Sequence, residues 1–146
     1  MPVEHRIATT ASPETVFRIY EDVARWHTWD PDTKRASLDG PFQAGSRGRL
    51  VPTRGRPVPM LLTQVAPGRG FTVESRIPLF RMTFEHELRP SAGQTEIVHR
   101  VSFSGPLSLV LAPLLTRQLD AGLPVTLARL KALAEARSAR HEPASD

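Results

Sequence analysis

The stretch Thr95-Glu96-Ile97-Val98-His99-Arg100-Val101-Ser102-Phe103-Ser104-Gly105-Pro106-Leu107-Ser108-Leu109-Val110-Leu111 changes its period midway, and that change decides the fold. Up to Phe103 the side chains alternate. Ile97, Val101 and Phe103 fall on one side and Glu96, Arg100 and Ser102 on the other, as in a strand with one buried face. His99 is the one polar member of the apolar row. Gly105-Pro106 breaks the strand. From Leu107 onward apolar residues recur at Val110, Leu111, Leu114, Leu115, Leu119, Leu123, Leu127, Leu130 and Leu133, the three- and four-residue spacing of one helix face. Most of that face must be covered, so the spacing predicts a long helix laid along a sheet, around a cavity. Pro113 and Gly122-Leu123-Pro124 are expected to kink or bulge it, because proline removes a donor and clashes one turn back.

Working outward, the preceding segment sets Phe80, Met82, Phe84, His86 and Leu88 against Arg81, Thr83, Glu85, Glu87 and Arg89. If Pro90-Ser91-Ala92-Gly93 joins this strand to the last one as a hairpin, His86 and His99 lie on the same inward face as near or diagonal neighbours. Turn residues divide the chain from Thr33 onward into six candidate strands near 33–39, 47–52, 57–65, 70–77, 80–89 and 94–104. Their short connections imply an antiparallel meander. Val3 to Thr9 reads as a first strand. Ser12-Pro13-Glu14-Thr15 then signals a helix start, with Ser12 as cap and Pro13 at the first helical position. That helix runs through Val16, Phe17 and Tyr20, and a second short one near Asp22 to His27 puts Val23 and Trp26 on one side. Asp30-Pro31 stops it. The order is β-αα-ββββββ-α, an α+β domain over residues 1–137 with a disordered polar tail expected at 138–146.

Composition narrows the function. At 146 residues the chain suffices for one domain and its core. It has no cysteine, which excludes disulfides, thiol catalysis and cysteine-ligated metals. The net charge is +4, but 17 of the 19 basic residues are arginines spread along the chain. The one local cluster, Arg47, Arg49, Arg54 and Arg56, lacks interleaved aromatics, so no nucleic-acid partner is expected. No stretch is long and apolar enough to span a bilayer, and the protein is read as cytoplasmic. Gly45-Ser46-Arg47-Gly48 lacks the strand-turn-helix setting of a nucleophile elbow, and phosphate-loop and dinucleotide patterns are absent.

The element order resembles the START-like, helix-grip superfamily called SRPBCC, and in particular its bacterial polyketide cyclase/dehydrase-like branch. The resemblance rests on Ala11-Ser12-Pro13-Glu14-Thr15-Val16-Phe17, Trp26-His27-Thr28-Trp29-Asp30-Pro31, Leu38-Asp39-Gly40-Pro41 leading to Gly45-Ser46-Arg47-Gly48, Val65-Ala66-Pro67-Gly68-Arg69, and His99-Arg100-Val101 before Ser104-Gly105-Pro106-Leu107. It implies a curved seven-stranded antiparallel sheet gripping the C-terminal helix, with an apolar pocket between them. It carries no catalytic motif.

The expected pocket lining is Trp26, Trp29, Phe71, Val73, Met82, Phe84, Val101, Leu111, Leu115, Leu119 and Leu123, with Gln118 as a polar group inside the stripe that needs a partner. Asp30 is assigned to capping or turn formation. His86 and His99 are read as the only inward groups able to change protonation near neutral pH. Such histidines serve more often as hydrogen-bonded core or pocket groups than as catalysts. Metal ligation is not expected, because Glu85, Glu87 and Glu96 alternate onto the outer face, and no cofactor is called for. The first functional reading is a carrier of a small hydrophobic molecule, monomeric or homodimeric. The second is a cyclase or dehydratase using His86 or His99 as general acid or base. The third is a protein-interaction module, whose mark would be an exposed apolar patch outside the pocket.

Overall fold

A computed structural model describes residues 2–141. The elements are β1 (Val3–Thr9), α1 (Pro13–Glu21), a 3₁₀ helix (Val23–Thr28), β2 (Thr33–Leu38), β3 (Arg47–Pro52), β4 (Val58–Ala66), β5 (Gly70–Ile77), β6 (Phe80–Ser91), β7 (Gln94–Ser104) and α2 (Ser108–His141). The strands form one seven-stranded antiparallel sheet in the order β1-β7-β6-β5-β4-β3-β2. This is the helix-grip arrangement that the sequence implies. Ser12 caps α1 by accepting the Thr15 N–H at 3.1 Å, and Pro13 opens the helix as expected.

Period two places the inner row. Phe71 pairs with His86 and His86 with His99; Leu62 pairs with Val73, Val73 with Phe84, and Phe84 with Val101. Val16, Ile19 and Tyr20 of α1, Leu62 and Ile97 of the sheet, and Leu127 and Leu130 of α2 are all fully buried. α2 lies diagonally. Its start is tied to the β5–β6 turn by the Leu107 N–H donating to the Leu79 carbonyl at 3.0 Å, and farther on it packs chiefly on β1, β7 and α1. Asp120 meets His5 at 2.8 Å and Glu135 accepts from the Thr9 hydroxyl at 2.8 Å.

Three features of α2 bear on the expectations. The helix runs from Ser108 to His141 through both prolines without a break. Pro113 and Pro124 are exposed, so the carbonyls they leave unbonded open to water instead of a dry core. Gly122 serves a close approach: a Cβ there would stand 2.6 Å from the Asp32 carboxylate, beside the Thr126–Asp30 hydrogen bond. Second, Val110 and Leu114 are 72% and 56% exposed, and Gln118 is exposed too. The first half of the helix is apolar almost all round, so spacing alone could not choose its inner side; the buried Leu123, Leu127 and Leu130 fix it, and Leu111, Leu115 and Leu119 fall beneath. Third, residues 138–141 continue the helix, and the rest of the expected tail lies outside the described residues.

Leu130, at 0% exposure, and Leu109, at 85%, test this side assignment. In urea unfolding, Leu130→Ala should lower stability by about 2–5 kcal/mol, the cost of a core cavity. Leu109→Ala should change it by less than about 0.5 kcal/mol, as for an exposed site. Similar losses for both would show that the outward face of α2 is buried.

Candidate functional site

Tyr20 stands at the end of α1 on the same side as Val16 and Phe17, which carries its ring onto the inner face of the sheet. Its hydroxyl lies 2.9 Å from His99 Nε2. Burial pushes the phenol's pKa up, so the O–H is retained and the bond joins two neutral groups. His86 lies directly opposite His99, with ring centroids 4.7 Å apart, and stacks on Phe71 at 4.0 Å and 3°. His86 Nδ1 donates to the Phe71 carbonyl at 3.3 Å, which assigns the neutral tautomer with Nε2 free of its proton. Burial pushes His86 down to about 4, against the pull of that carbonyl. Burial, and then the neighbouring His86, hold His99 well below the usual imidazole range. Both rings are therefore neutral at neutral pH.

Around this pair the aromatic rings interlock. Tyr20 meets Phe71 edge-on at 4.8 Å and Trp29 at 5.9 Å; Trp26 lies 6.2 Å from Trp29; Phe42 contacts both Phe17 and Phe71. Trp26 Nε1 donates to the Tyr20 carbonyl at 2.9 Å. Trp29 is 4% exposed, and its Nε1–H is the one buried side-chain polar group without a partner among the described residues. Asp30 does what its place before proline suggested. It accepts from the Asp32 N–H and the Thr33 hydroxyl, closing the turn, and from Thr126 on α2.

Of the expected lining, Trp26, Trp29, Phe71, Val73, Val101 and Leu123 are buried, while Met82, Phe84, Leu111, Leu115 and Leu119 are half-buried. Gln118 is not with them, since it faces outward. The space under the sheet is accordingly divided. Rings from α1 and the 3₁₀ helix fill the side near β6–β7 that holds the histidines. Toward the start of α2 the inward residues Leu38, Leu50, Val58, Met82 and Phe84 are half-buried, while Met60, Val73 and Phe80 beside them are buried. A groove of about 660 Å³ lies at the β4–β5 and β6–β7 turn end of the sheet, where Phe71, His86 and Leu88 of the inner row meet Arg69, Glu85, Glu87 and Arg100 of the outer one.

Two residues escaped the sequence reading. His5 lies opposite His99 in the β1–β7 register, so a third histidine joins the inward row. The alternation from Val3 through Ile7 carried that signal. Its side chain turns to Asp120 on α2, not to His99. Tyr20 was placed on the inner side of its helix, yet only the folded chain shows it as the partner of His99. The carboxylates Glu85 and Glu96 face outward and pair with Arg100, Arg6 and Arg89, as alternation required. No group of three or more potential metal ligands occurs among the described residues.

The family model described as "Polyketide cyclase / dehydrase and lipid transport" matches residues 2–135, and the chain belongs to that family. No curated protein sequence matches it. Among solved structures, TTHA0849 from Thermus thermophilus superposes with a TM-score of 0.74 at 18% identity, covering 94% of this chain and 99% of its own. The di-domain ARO/CYC protein StfQ from the steffimycin biosynthetic pathway superposes with a TM-score of 0.76 at 14% identity, and this chain spans 52% of its length. MLL2253 from Mesorhizobium loti gives 0.74 at 16%, covering 93% of this chain and 98% of its own. At these identities the likeness establishes the SRPBCC fold.

The neutral inward histidines, His99 buried and His86 half-buried, impose a pH dependence on stability. Unfolding returns them to the ordinary value of 6.5, so below it the unfolded chain binds more protons and stability falls as pH drops toward about 4. For His86 the shift from 6.5 to about 4 corresponds to roughly 3 kcal/mol over that window. Glu4 and Glu135, whose carboxyls are held low by hydrogen bonds to Arg6 and to Thr9 respectively, lose their contribution only at lower pH. The melting midpoint should therefore fall markedly between about pH 7 and about pH 5, and the slope should flatten in His86→Gln. Identical slopes in the two proteins would show that His86 is not a neutral inward group.

Proposed function

We propose that the protein binds a small, mainly apolar molecule in the cleft between the inner face of β2–β6 and the first half of α2. The observation carrying this reading is that the inward residues Leu50, Met82, Phe84, Leu111 and Leu115 are only half-buried, while α2 packs chiefly on β1, β7 and α1. Apolar surface turned inward yet left half-wet is a standing driving force for a ligand. The unpartnered Trp29 Nε1–H adds a polar requirement. A ligand oxygen reaching it would satisfy a buried donor that otherwise costs stability. Family membership agrees with such a role, and the fold likeness to ARO/CYC proteins suits an aromatic or polyketide-type ligand. A cytoplasmic place and a monomeric or dimeric state accompany the proposal.

A catalytic reading has one observation in its favour, the hydrogen-bonded Tyr20–His99 pair beside His86 with its free Nε2. It would make these groups the proton-handling residues of a cyclase or dehydratase. An imidazole pushed down to about 4 is, however, a weak base at neutral pH, and no carboxylate orients it. The carrier reading is therefore preferred.

The test uses N-phenyl-1-naphthylamine as probe, titrated by fluorescence and displaced by 1-acetonaphthone or by its hydrocarbon analogue 1-isopropenylnaphthalene. Binding should saturate at one site in folded protein, and Leu111→Gln with Leu115→Gln should weaken it about tenfold, the scale of apolar burial lost. Trp29→Phe should retain the hydrocarbon's affinity while removing most of the ketone's advantage, about 1 kcal/mol for one hydrogen bond. Binding only to heat-treated protein, or indifference to the α2 substitutions, would refute the cleft.

A further inference from the structure

The sheet register places one set of groups at a single end of the molecule. The β3–β4 turn, the β5–β6 turn, the end of β7 and the start of α2 all lie there, because Leu50 pairs with Val58, Ile77 with Phe80 and Arg81 with Ser104. At this end the largest apolar side chains of the surface are displayed. Leu109 is 85% exposed, Val110 72%, Leu79 62% and Leu114 56%. Leu79 adjoins the helix start through its carbonyl bond to the Leu107 N–H, so the four belong to one tip. None of them faces the cleft, and the ligand reading leaves them unexplained.

Charge says what the tip meets. Arg54 and Arg56 sit exposed on the β3–β4 turn, two strand positions from the β5–β6 turn, hence about 10 Å away. Arg76 and Arg81 flank that turn, and Arg117 follows one helical turn after Pro113 on the outward side of α2. The acidic groups nearby are Glu74, shared between Arg76 and Arg81, Asp32, and Asp120, which lies about one turn after Arg117 and pairs with His5. The first turn of α2 holds no acidic residue, so the positive end of its dipole adds to the same field. A second copy of the chain would bring these arginines face to face, which like charges oppose. A protein partner is less suited as well, because the tip is purely aliphatic, without the aromatic anchors that dominate such interfaces. Aliphatic side chains ringed by arginine match a bilayer surface, where the former enter the acyl boundary and the latter meet anionic headgroups.

We propose that this tip docks the protein on an anionic lipid membrane, with Leu79, Leu109, Val110 and Leu114 inserted and Arg54, Arg56 and Arg117 against the headgroups. Docking is peripheral, since no helix of the described residues is long and apolar enough to cross a membrane.

The experiment is sedimentation of the full chain with unilamellar vesicles of phosphatidylcholine alone or mixed with phosphatidylglycerol. Binding should be strong only to the mixed vesicles and should weaken with added salt. Leu109→Gln with Val110→Gln should reduce partitioning by about tenfold or more, and Arg54→Glu with Arg56→Glu should abolish the preference for anionic lipid. The second pair lies away from α2, so a folding defect in the helix variant leaves the test intact, and circular dichroism melts identify such a defect. Absence of vesicle binding, equal binding to both compositions, or unaltered binding in folded variants would overturn the proposal. So would a dimer, measured by light scattering, that the helix variant dissolves. None of these outcomes depends on whether the cleft binds naphthyl compounds.

Discussion

A seven-stranded sheet is wider than any one helix, and most of this molecule follows from that mismatch. With neighbouring strands about 4.8 Å apart the inner face spans roughly 29 Å, whereas a helix with its side chains covers about 10 Å. α2 takes the β1 and β7 side. The short helices after β1 contribute Phe17, Tyr20, Trp26 and Trp29 to cover the middle, and these large rings are the means by which so little helix covers so much sheet. The cover is least complete at Leu50, Val58, Met82 and Phe84, which stay half-buried.

The polar groups inside this arrangement are organised around neutrality. His5, His99 and His86 lie in one row across β1, β7 and β6, yet each turns to a different partner: Asp120, Tyr20 and the Phe71 carbonyl. The first two contacts do mechanical work. His5–Asp120 fastens β1 to α2, and Tyr20–His99 fastens α1 to the sheet, so both covering helices are registered on β1 and β7 by a histidine. Glycine helps at the same level. A Cβ at Gly70 would stand 2.1 Å from the His86 carbonyl, so this position must be bare for β5 to run beside His86 and stack Phe71 on its ring.

Strand positions were legible in the sequence because alternation and turn residues are local; the observed strand limits differ from those expected by at most two residues. The facing of His86 and His99 was legible for the same reason, since period two fixes a face whatever the loop does. The role of Tyr20 was not, because a bond between residues 79 positions apart depends on how α1 docks, which no local pattern encodes. Gln118 was misplaced by a related limit. Where Leu109, Val110, Leu111, Leu114 and Leu115 surround the helix axis, periodicity is degenerate, and only the packing of Leu123, Leu127 and Leu130 selects a side. The prolines did not end the helix. Their cost in a helix is the lost donor and the steric clash, and at exposed positions water satisfies the freed carbonyl.

That degeneracy has a physical consequence beyond prediction. A helix apolar on all sides is ordinarily buried on all sides, because exposed leucine clusters promote aggregation. Here Leu111, Leu115 and Leu119 look toward the sheet while Leu109, Val110 and Leu114 look to water on the same few turns. The inner residues are half-buried against the sheet side and the outer ones are left to solvent. One helix thus carries both sets of residues, and the proposed ligand site and the proposed docking tip would share its backbone.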